Sequence, residues 1–151
     1  MRRIDREIKD KKSIEEIISN AQVCRLGMIN GNVPYVVPLN FGYHDGTFYF
    51  HSAREGLKIE LLAQGRMVCI EIDEGHELVT AATPCGWGMR YVSVIAYGLP
   101  CFIEEPIAKR EALAIIMAQY TDGTFDFPES ALAATAVWSI KVETMTGKQK
   151  A

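Results

Sequence analysis

The sequence predicts a mainly β protein in which short strands, joined by hairpins, form an antiparallel barrel with a few flanking helices. Asn30-Gly31-Asn32 and Asp45-Gly46 are hairpin turn signals. Between them, residues 33–44 alternate between large apolar and small or polar side chains, as a β-strand does. Hairpin-linked strands are antiparallel neighbours, so the six or seven strands expected here favour a barrel over a doubly wound sheet.

The first half of the chain is predicted to hold one helix before its strands. Ser13-Ile14-Glu15-Glu16 has the form of a capping box, which predicts a short helix over 13–20 and then a strand over 22–29. In the strand over 33–44, one face is unusually small and polar, as though something other than side chains covers it. The two prolines on that face indicate an edge strand or an interrupted ladder. The residues of this face are Pro34, Val36, Pro38, Asn40, Gly42 and His44.

The remaining elements follow from the same periodicities. A helix begins at Pro106, and its buried face is predicted to carry Leu113, Ile116, Met117 and Tyr120. Residues 121–135 are predicted to be loop with one helical turn. The other predicted elements are strands over 47–52, 67–73, 77–82, 90–103 and 137–145, and a helix over 56–64. No repeat, linker or low-complexity segment interrupts them, so residues 1–151 are predicted to form a single domain.

Composition excludes several classes of function. The 151 residues are 48% hydrophobic and carry a net charge of −3, so no nucleic-acid partner is expected. The N-terminus is polar and no apolar stretch of transmembrane length follows, which predicts a cytoplasmic protein without membrane contact. The four cysteines form no C-x-x-C pair and have no histidine at ligand spacing, so no metal site is predicted.

Residues 49–62 predict a binding site for a phosphorylated ligand. They read as the end of a strand, a tight turn and the first turns of a helix, with Lys58 in the first turn. A cation is misplaced there, because the helix N-terminus already carries partial positive charge. Free backbone N–H groups, Lys58 and the Ser52 hydroxyl would together bind a phosphate. The alternative is that Lys58 points into water and Ser52 only ends a strand.

His51 precedes Ser52 and, by strand alternation, points to the opposite face. It is either a strand histidine with a satisfied hydrogen bond or a histidine beside a cofactor ring. In the second case it could relay a proton near neutral pH. The chain has no nucleophile elbow, zinc-protease motif, Walker loop or Rossmann glycine fingerprint that would indicate another chemistry.

Four motifs in order along the chain carry a family resemblance. They are Met1-Arg-Arg-Ile-Asp-Arg-Glu-Ile, Phe50-His-Ser-Ala-x-x-Gly-x-Lys58, Cys85-x-Trp-x-Met-x-Tyr91-x-Ser93-Val-Ile and Gly147-Lys148. The chain resembles the pyridoxamine 5′-phosphate oxidase-like, FMN-binding split-barrel proteins, and within them the 5-nitroimidazole reductases linked to antibiotic resistance. This resemblance implies a homodimer of six-stranded antiparallel split β-barrels, with FMN in a groove between the subunits.

The resemblance also implies roles for individual residues. Lys58 and Ser52 would hold the FMN phosphate, the small face of the strand over 33–44 would lie along the flavin, and His51 would be the catalytic residue beside it. Trp138 would either wall the flavin site or belong to the core. The full set of implied cofactor-binding residues is Val36, Pro38, Asn40, His51, Ser52, Ala53, Lys58, Ser93 and Trp138.

The function implied is an FMN-dependent oxidoreductase that reduces a small electrophilic substrate such as a nitroaromatic compound. One alternative is a flavin- or haem-binding module without turnover. Another is oxidation of pyridoxamine 5′-phosphate, which needs extra basic residues for a second phosphate, and the sequence shows no obvious cluster of them.

Overall fold

A computed structural model describes residues 3–150 as two antiparallel sheets flanked by helices, which confirms the predicted mainly β class. The larger sheet has the order β1 (Glu7–Ile8), β10 (Thr144–Lys150), β7 (Gly88–Gly98), β6 (Val68–Val79), β2 (Cys24–Asn30) and β3 (Val33–Leu39). The smaller sheet has the order β4 (Gly42–His44), β5 (Thr47–Ala53), β9 (Thr135–Lys141) and β8 (Pro100–Phe102). The helices are α1 (Lys11–Asn20), α2 (Leu57–Leu62), α3 (Pro106–Ala118) and α4 (Glu129–Ala134).

Both predicted hairpin turns are present. Gly31 has φ +61°, and Asn30 pairs with Val33 across a two-residue connection between β2 and β3. Asp45 and Gly46 have φ +44° and +73° between β4 and β5. Positive φ at these positions matches the twist of the flanking strands, which is why Gly and Asp stand there.

The predicted single strand over 33–44 is wrong, because the chain passes from one sheet to the other at Asn40–Phe41. Two contacts, one with Tyr120 just after α3 and one with α3 itself, lie at this break. The Phe41 N–H donates to the Tyr120 hydroxyl at 2.9 Å instead of to a strand. At Gly42, a Cβ would lie 2.7 Å from backbone atoms of Ile115, so α3 packs directly on the β4 backbone.

Other strand boundaries also differ from the prediction. The predicted strand over 90–103 is β7 and β8 in different sheets, and the predicted last strand is β9 and β10. Conversely, the two strands predicted over 67–73 and 77–82 are the single strand β6, with a register shift between Glu74 and Glu77. Residues 3–150 therefore contain ten strands rather than six or seven.

Helix α1 begins two residues before the predicted start. Its N-cap is Asp10, whose carboxylate accepts hydrogen bonds from the Ser13 N–H at 2.9 Å and the Ser13 hydroxyl at 2.7 Å. Ser13 therefore lies inside the helix and does not cap it. At the other end, the Gln119 side chain donates to carbonyl groups of Ile18 and Ala21, which fastens the end of α3 to the end of α1.

The core lies between the inner faces of the two sheets and contains a row of fully buried aromatic rings. Phe50 and Trp138 stack with their centroids 5.5 Å apart, and Phe48 continues the row beside Phe50. Trp138 is 0% exposed, so the alternative that placed it in the core is correct. Within residues 3–150, no helix combines the length and the apolar character required for a membrane span.

Candidate functional site

Two unpaired strand edges diverge from the point where the chain crosses between the sheets. β3 is the outermost strand of the larger sheet. In the smaller sheet β4 pairs only with Thr47–Tyr49, so residues 50–53 of β5 have β9 on one side and no strand on the other within the described residues. We call the opening between the β3 edge (residues 34–40) and the β5 edge (residues 50–53) the split.

The β3 side of the split carries the small face that the sequence indicated. Asn30 and Val33 pair at the hairpin turn, so the backbone groups of Val33 point towards β2. Because this direction alternates along a strand, the N–H and C=O positions of residues 34, 36 and 38 point away from β2. Pro34 and Pro38 have no N–H, so among residues 33–39 Val36 supplies the outward N–H donor. Val36 is 60% exposed. Pro38 and Asn40 are exposed beside it, so the structure brings these three predicted contacts together.

On the β5 side, His51 and Ser52 point to opposite faces, as their alternation predicted. Ser52 shares the face of Phe50 and Trp138, and its hydroxyl donates to the Ala53 carbonyl at 2.8 Å. His51 points towards α3 and α4. Both residues nevertheless border the same open edge of β5. A ligand that lies along this edge can therefore contact both side chains.

Lys58 lies in the first turn of α2, as predicted, and follows Gly56, which has φ +114°. It does not point into water. Its Nζ is 5.7 Å from the centroid of the Trp138 ring, a cation–π distance. Burial lowers the pKa of Lys58. Burial, and then the charge of Lys58, lower the pKa of His51, so the two groups are electrostatically coupled.

Trp138 does not fit the role of a direct cofactor contact. Its ring has no exposed surface, and its Nε1 is buried without a hydrogen-bond partner among residues 3–150. The ring instead lies under the Lys58 ammonium. Trp138 therefore acts on the split through the position of Lys58.

Ser93 lies outside the split of its own chain. It is on β7, and β6 and β2 separate that strand from β3, a distance of roughly 14 Å at ~4.8 Å per strand. It lines a hollow of about 300 Å³ on the outer face of the larger sheet, together with Ile95, Thr146 and Lys148. Lys148 belongs to β10, and its Nζ lies 5.6 Å from the ring centroid of Tyr91.

Sequence reasoning missed a pair of cations beside the turn that leads into α2. Lys109 is 4% exposed and donates to the carbonyl groups of Leu132 and Thr135 at 3.3 and 3.1 Å. Arg54 donates to the Ala133 carbonyl at 3.1 Å. The two cations satisfy carbonyl groups at the end of α4, as cations do at helix C-termini, and fix the turn after β5. A lysine inside a helical pattern gives no sign of such burial.

Comparison with protein families matches residues 10–149 to the family described as Pyridoxamine 5′-phosphate oxidase. The chain belongs to this family. A crystal structure from Bacteroides thetaiotaomicron VPI-5482, of a protein provisionally named for 5-nitroimidazole antibiotic resistance, is 43% identical to this family member. It superposes with a TM-score of 0.86 over 95% of this chain and 86% of that one.

Two more distant structures show the fold alone. The FAD and heme binding protein of Mycobacterium smegmatis is 16% identical, with a TM-score of 0.89 over 96% of this chain and 73% of that one. A flavocytochrome from Azotobacter vinelandii is 20% identical, with a TM-score of 0.89 over 100% of this chain and 72% of that one. These matches confirm the split-barrel fold. Comparison with curated proteins gives no significant match.

Proposed function

We propose that this protein is an FMN-dependent oxidoreductase that binds the cofactor along the split and reduces a small electrophilic molecule such as a nitroaromatic compound. The observation that carries the proposal is Lys58. Its ammonium is half-buried beside the open end of β5 and forms no ion pair within residues 3–150. A partly desolvated cation without an acidic partner favours an anionic ligand.

The groups around the split fit the two ends of a flavin nucleotide. Lys58 and the first backbone N–H groups of α2 would hold the phosphate. The Ser52 hydroxyl would join them by rotating away from the Ala53 carbonyl, to which it donates in this structure. The outward N–H and C=O of Val36 form a donor–acceptor pair for the edge of the planar ring, with Pro38 and Asn40 beside it. A bound flavin supplies the redox chemistry, and the protein supplies binding and orientation.

His51 would provide the proton chemistry. Reduction of a nitro group to a nitroso group takes up two electrons and two protons and releases water. Because burial and Lys58 lower its pKa, the imidazole is mainly neutral near pH 7 and presents one N–H donor and one acceptor nitrogen. At the edge of the split it could donate a hydrogen bond or a proton to the substrate.

The substrate class has independent support from the relative at 43% identity, whose provisional name refers to 5-nitroimidazole antibiotic resistance. Family membership alone does not decide the reaction, because one fold serves many activities. The nitroaromatic class is therefore part of our proposal.

The experiment is an absorbance spectrum of the purified protein, followed by anaerobic reduction and stopped-flow mixing with 2-methyl-5-nitroimidazole. We expect flavin bands, bleaching on reduction and their return when the acceptor is added. A colourless protein that quenches the fluorescence of neither FMN nor FAD would contradict the proposal. A Soret band would instead support haem binding. Bound flavin that no acceptor reoxidises would support a binding module without turnover.

A further inference from the structure

A cavity of about 230 Å³, open to solvent on one side, lies on the other side of β5 from Lys58, between the smaller sheet and helices α3 and α4. His51 and Ala131 in its wall are exposed. Its walls are formed by His51, Leu113, Met117, Phe127, Ala131 and Thr135. The Thr135 hydroxyl donates its proton to the Ala131 carbonyl at 2.7 Å, so its oxygen can only accept a hydrogen bond from a ligand. The cavity is thus an apolar space with a single titratable group in its wall.

The His51 imidazole is the polar group that remains free there. Its side chain forms no hydrogen bond within residues 3–150. Apolar walls with one directional polar group are typical of small-molecule sites. The volume exceeds the roughly 150 Å³ of an apolar cavity that holds benzene.

The same walls exclude charged ligands. Leu113, Met117 and Phe127 offer neither an ion-pair partner nor a hydrogen bond that could replace water around a charge. A neutral planar ring fits better, because its faces pack against the apolar side chains and one polar substituent can reach the imidazole. His51 borders both the cavity and the open edge of β5, so a ring held here would meet the split at this side chain.

We propose that this cavity binds the neutral aromatic electron acceptor, with His51 as its polar contact and Met117 and Ala131 as the residues that limit its size. The inference rests on the proposed function, because that function makes the ligand an electron acceptor. It adds the place in the protein where this acceptor is held. It assigns to α3 and α4 a role in substrate selection that is separate from the cofactor site at Lys58.

The test is isothermal titration of 2-methyl-5-nitroimidazole into flavin-free and FMN-loaded protein. Ala131→Phe extends a ring into the cavity, whereas Ala114→Phe adds the same ring on the exposed side of α3. We expect Ala131→Phe to weaken binding of the probe by about ten-fold or more and Ala114→Phe to change it by less than about two-fold. FMN titration should give the same affinity for both variants.

A second variant keeps the test decisive if Ala131→Phe does not fold. Met117→Ala enlarges the cavity, so it should bind 5-nitrobenzimidazole more tightly than wild type does. Wild-type binding by Ala131→Phe, or no probe binding by a protein that binds FMN, would overturn the inference. If FMN does not bind but Ala131→Phe still blocks the probe, the proposed function fails and the cavity remains a ligand site.

Discussion

In the proposed function, His51 and Lys58 carry the chemistry of the split, and each has different neighbours. Lys58 is held over the Trp138 ring at 5.7 Å, which fixes a flexible ammonium without neutralising it. Partial desolvation, and then the charge of Lys58, lower the pKa of His51 and disfavour its protonated form. In the proposed function, the ammonium of Lys58 serves an anionic ligand and the neutral imidazole of His51 serves the substrate.

The first prediction concerns the rate contribution of His51. Loss of a positioned proton donor typically costs ~10²–10⁴-fold in rate. We expect His51→Ala to retain the fold and FMN binding but to slow reoxidation of the reduced flavin by 2-methyl-5-nitroimidazole by at least ~10-fold in stopped-flow measurements. His44→Ala, which removes an exposed histidine from β4, is the control. Equal rates for the His51 variant and wild type would show that His51 is only structural.

The second prediction is a pH effect on stability. The pKa of His51 is lower in the folded chain than its usual value of about 6.5, so the unfolded chain binds more protons between these two pKa values. The stability from the neutral imidazole is present above about pH 6.5 and is lost as the pH falls towards the folded pKa. Urea unfolding of flavin-free protein measures the free energy of unfolding at about pH 7.5 and pH 5. This free energy should fall more between the two pH values for wild type than for His51→Gln. Identical losses would mean that burial does not affect His51.

At the scale of elements, the position of α3 decides the shape of both the split and the cavity. The backbone of α3 packs on Gly42, and Tyr120, just after the helix, accepts a hydrogen bond from the Phe41 N–H. Leu113 and Met117 of α3 form part of the cavity wall. These contacts pull the chain out of the larger sheet at Asn40 and so leave the β3 edge open. A helix in this position therefore shapes the site by packing, and its one buried charge within residues 3–150, Lys109, acts on the turn after β5 through the Leu132 and Thr135 carbonyl groups.

The third prediction tests that packing. Gly42→Ala places a Cβ against backbone atoms of α3, which cannot move aside as a side chain would. We expect it to lower the free energy of unfolding by ~1–3 kcal/mol, the cost of overpacking a core. Gly88→Ala is the control, because its new Cβ would meet only the end of the Lys150 side chain. Equal stability of the two variants in urea would contradict the close approach of α3 to β4.

Sequence periodicity predicted the hairpin turns and the first turn of α2, because each depends on local geometry. On the predicted buried face of α3, Ile116 is buried, whereas Leu113 and Met117 are half-buried and Tyr120 is 38% exposed. It failed where one alternating run serves two sheets. Leu39 at the end of β3 and Phe41 just before β4 both face the core, so the pattern continues through the break between the sheets. The same limit applies to the site. Alternation predicted the small face that carries Val36 and the opposite directions of His51 and Ser52, and the two prolines indicated the β3 edge. The burial of Trp138 and the distance of Ser93 depend on strand pairing, which alternation does not give.

At the scale of the whole molecule, the position of Ser93 raises the question of what contacts the outer face of the larger sheet. Ile95 and Tyr97 on this face are 37% and 43% exposed, and Arg25 lies beside them with acidic partners Glu71 and Asp73. Ser93 is too far from the split of its own chain to contact the same cofactor. The family resemblance implies a homodimer. If this face packs against a second copy of the chain, Ser93 could contact the cofactor bound at the split of that copy.

The fourth prediction is that the protein is a homodimer through this face. Light scattering at micromolar concentration should give about twice the chain mass of 16.8 kDa, since a stable interface of at least ~1,200 Å² persists at that dilution. Ile95→Asp should shift the mass towards the monomer, because it buries a carboxylate in an apolar contact. Ile107→Asp, at a position 65% exposed on α3, should remain dimeric. A monomeric wild type would refute the dimer.

The measurement that bears most directly on the proposed cofactor site compares dissociation constants of FMN and riboflavin for wild type, Lys58→Ala and the surface control Lys141→Ala. Fluorescence quenching supplies all of these constants. Lys58→Ala should weaken FMN binding by ~1.5–3 kcal/mol, the range for hydrogen bonds to charged groups, and should leave the weaker binding of riboflavin unchanged. Lys141→Ala should match wild type for both ligands. An FMN dissociation constant that is the same in Lys58→Ala and wild type would contradict a phosphate site at α2.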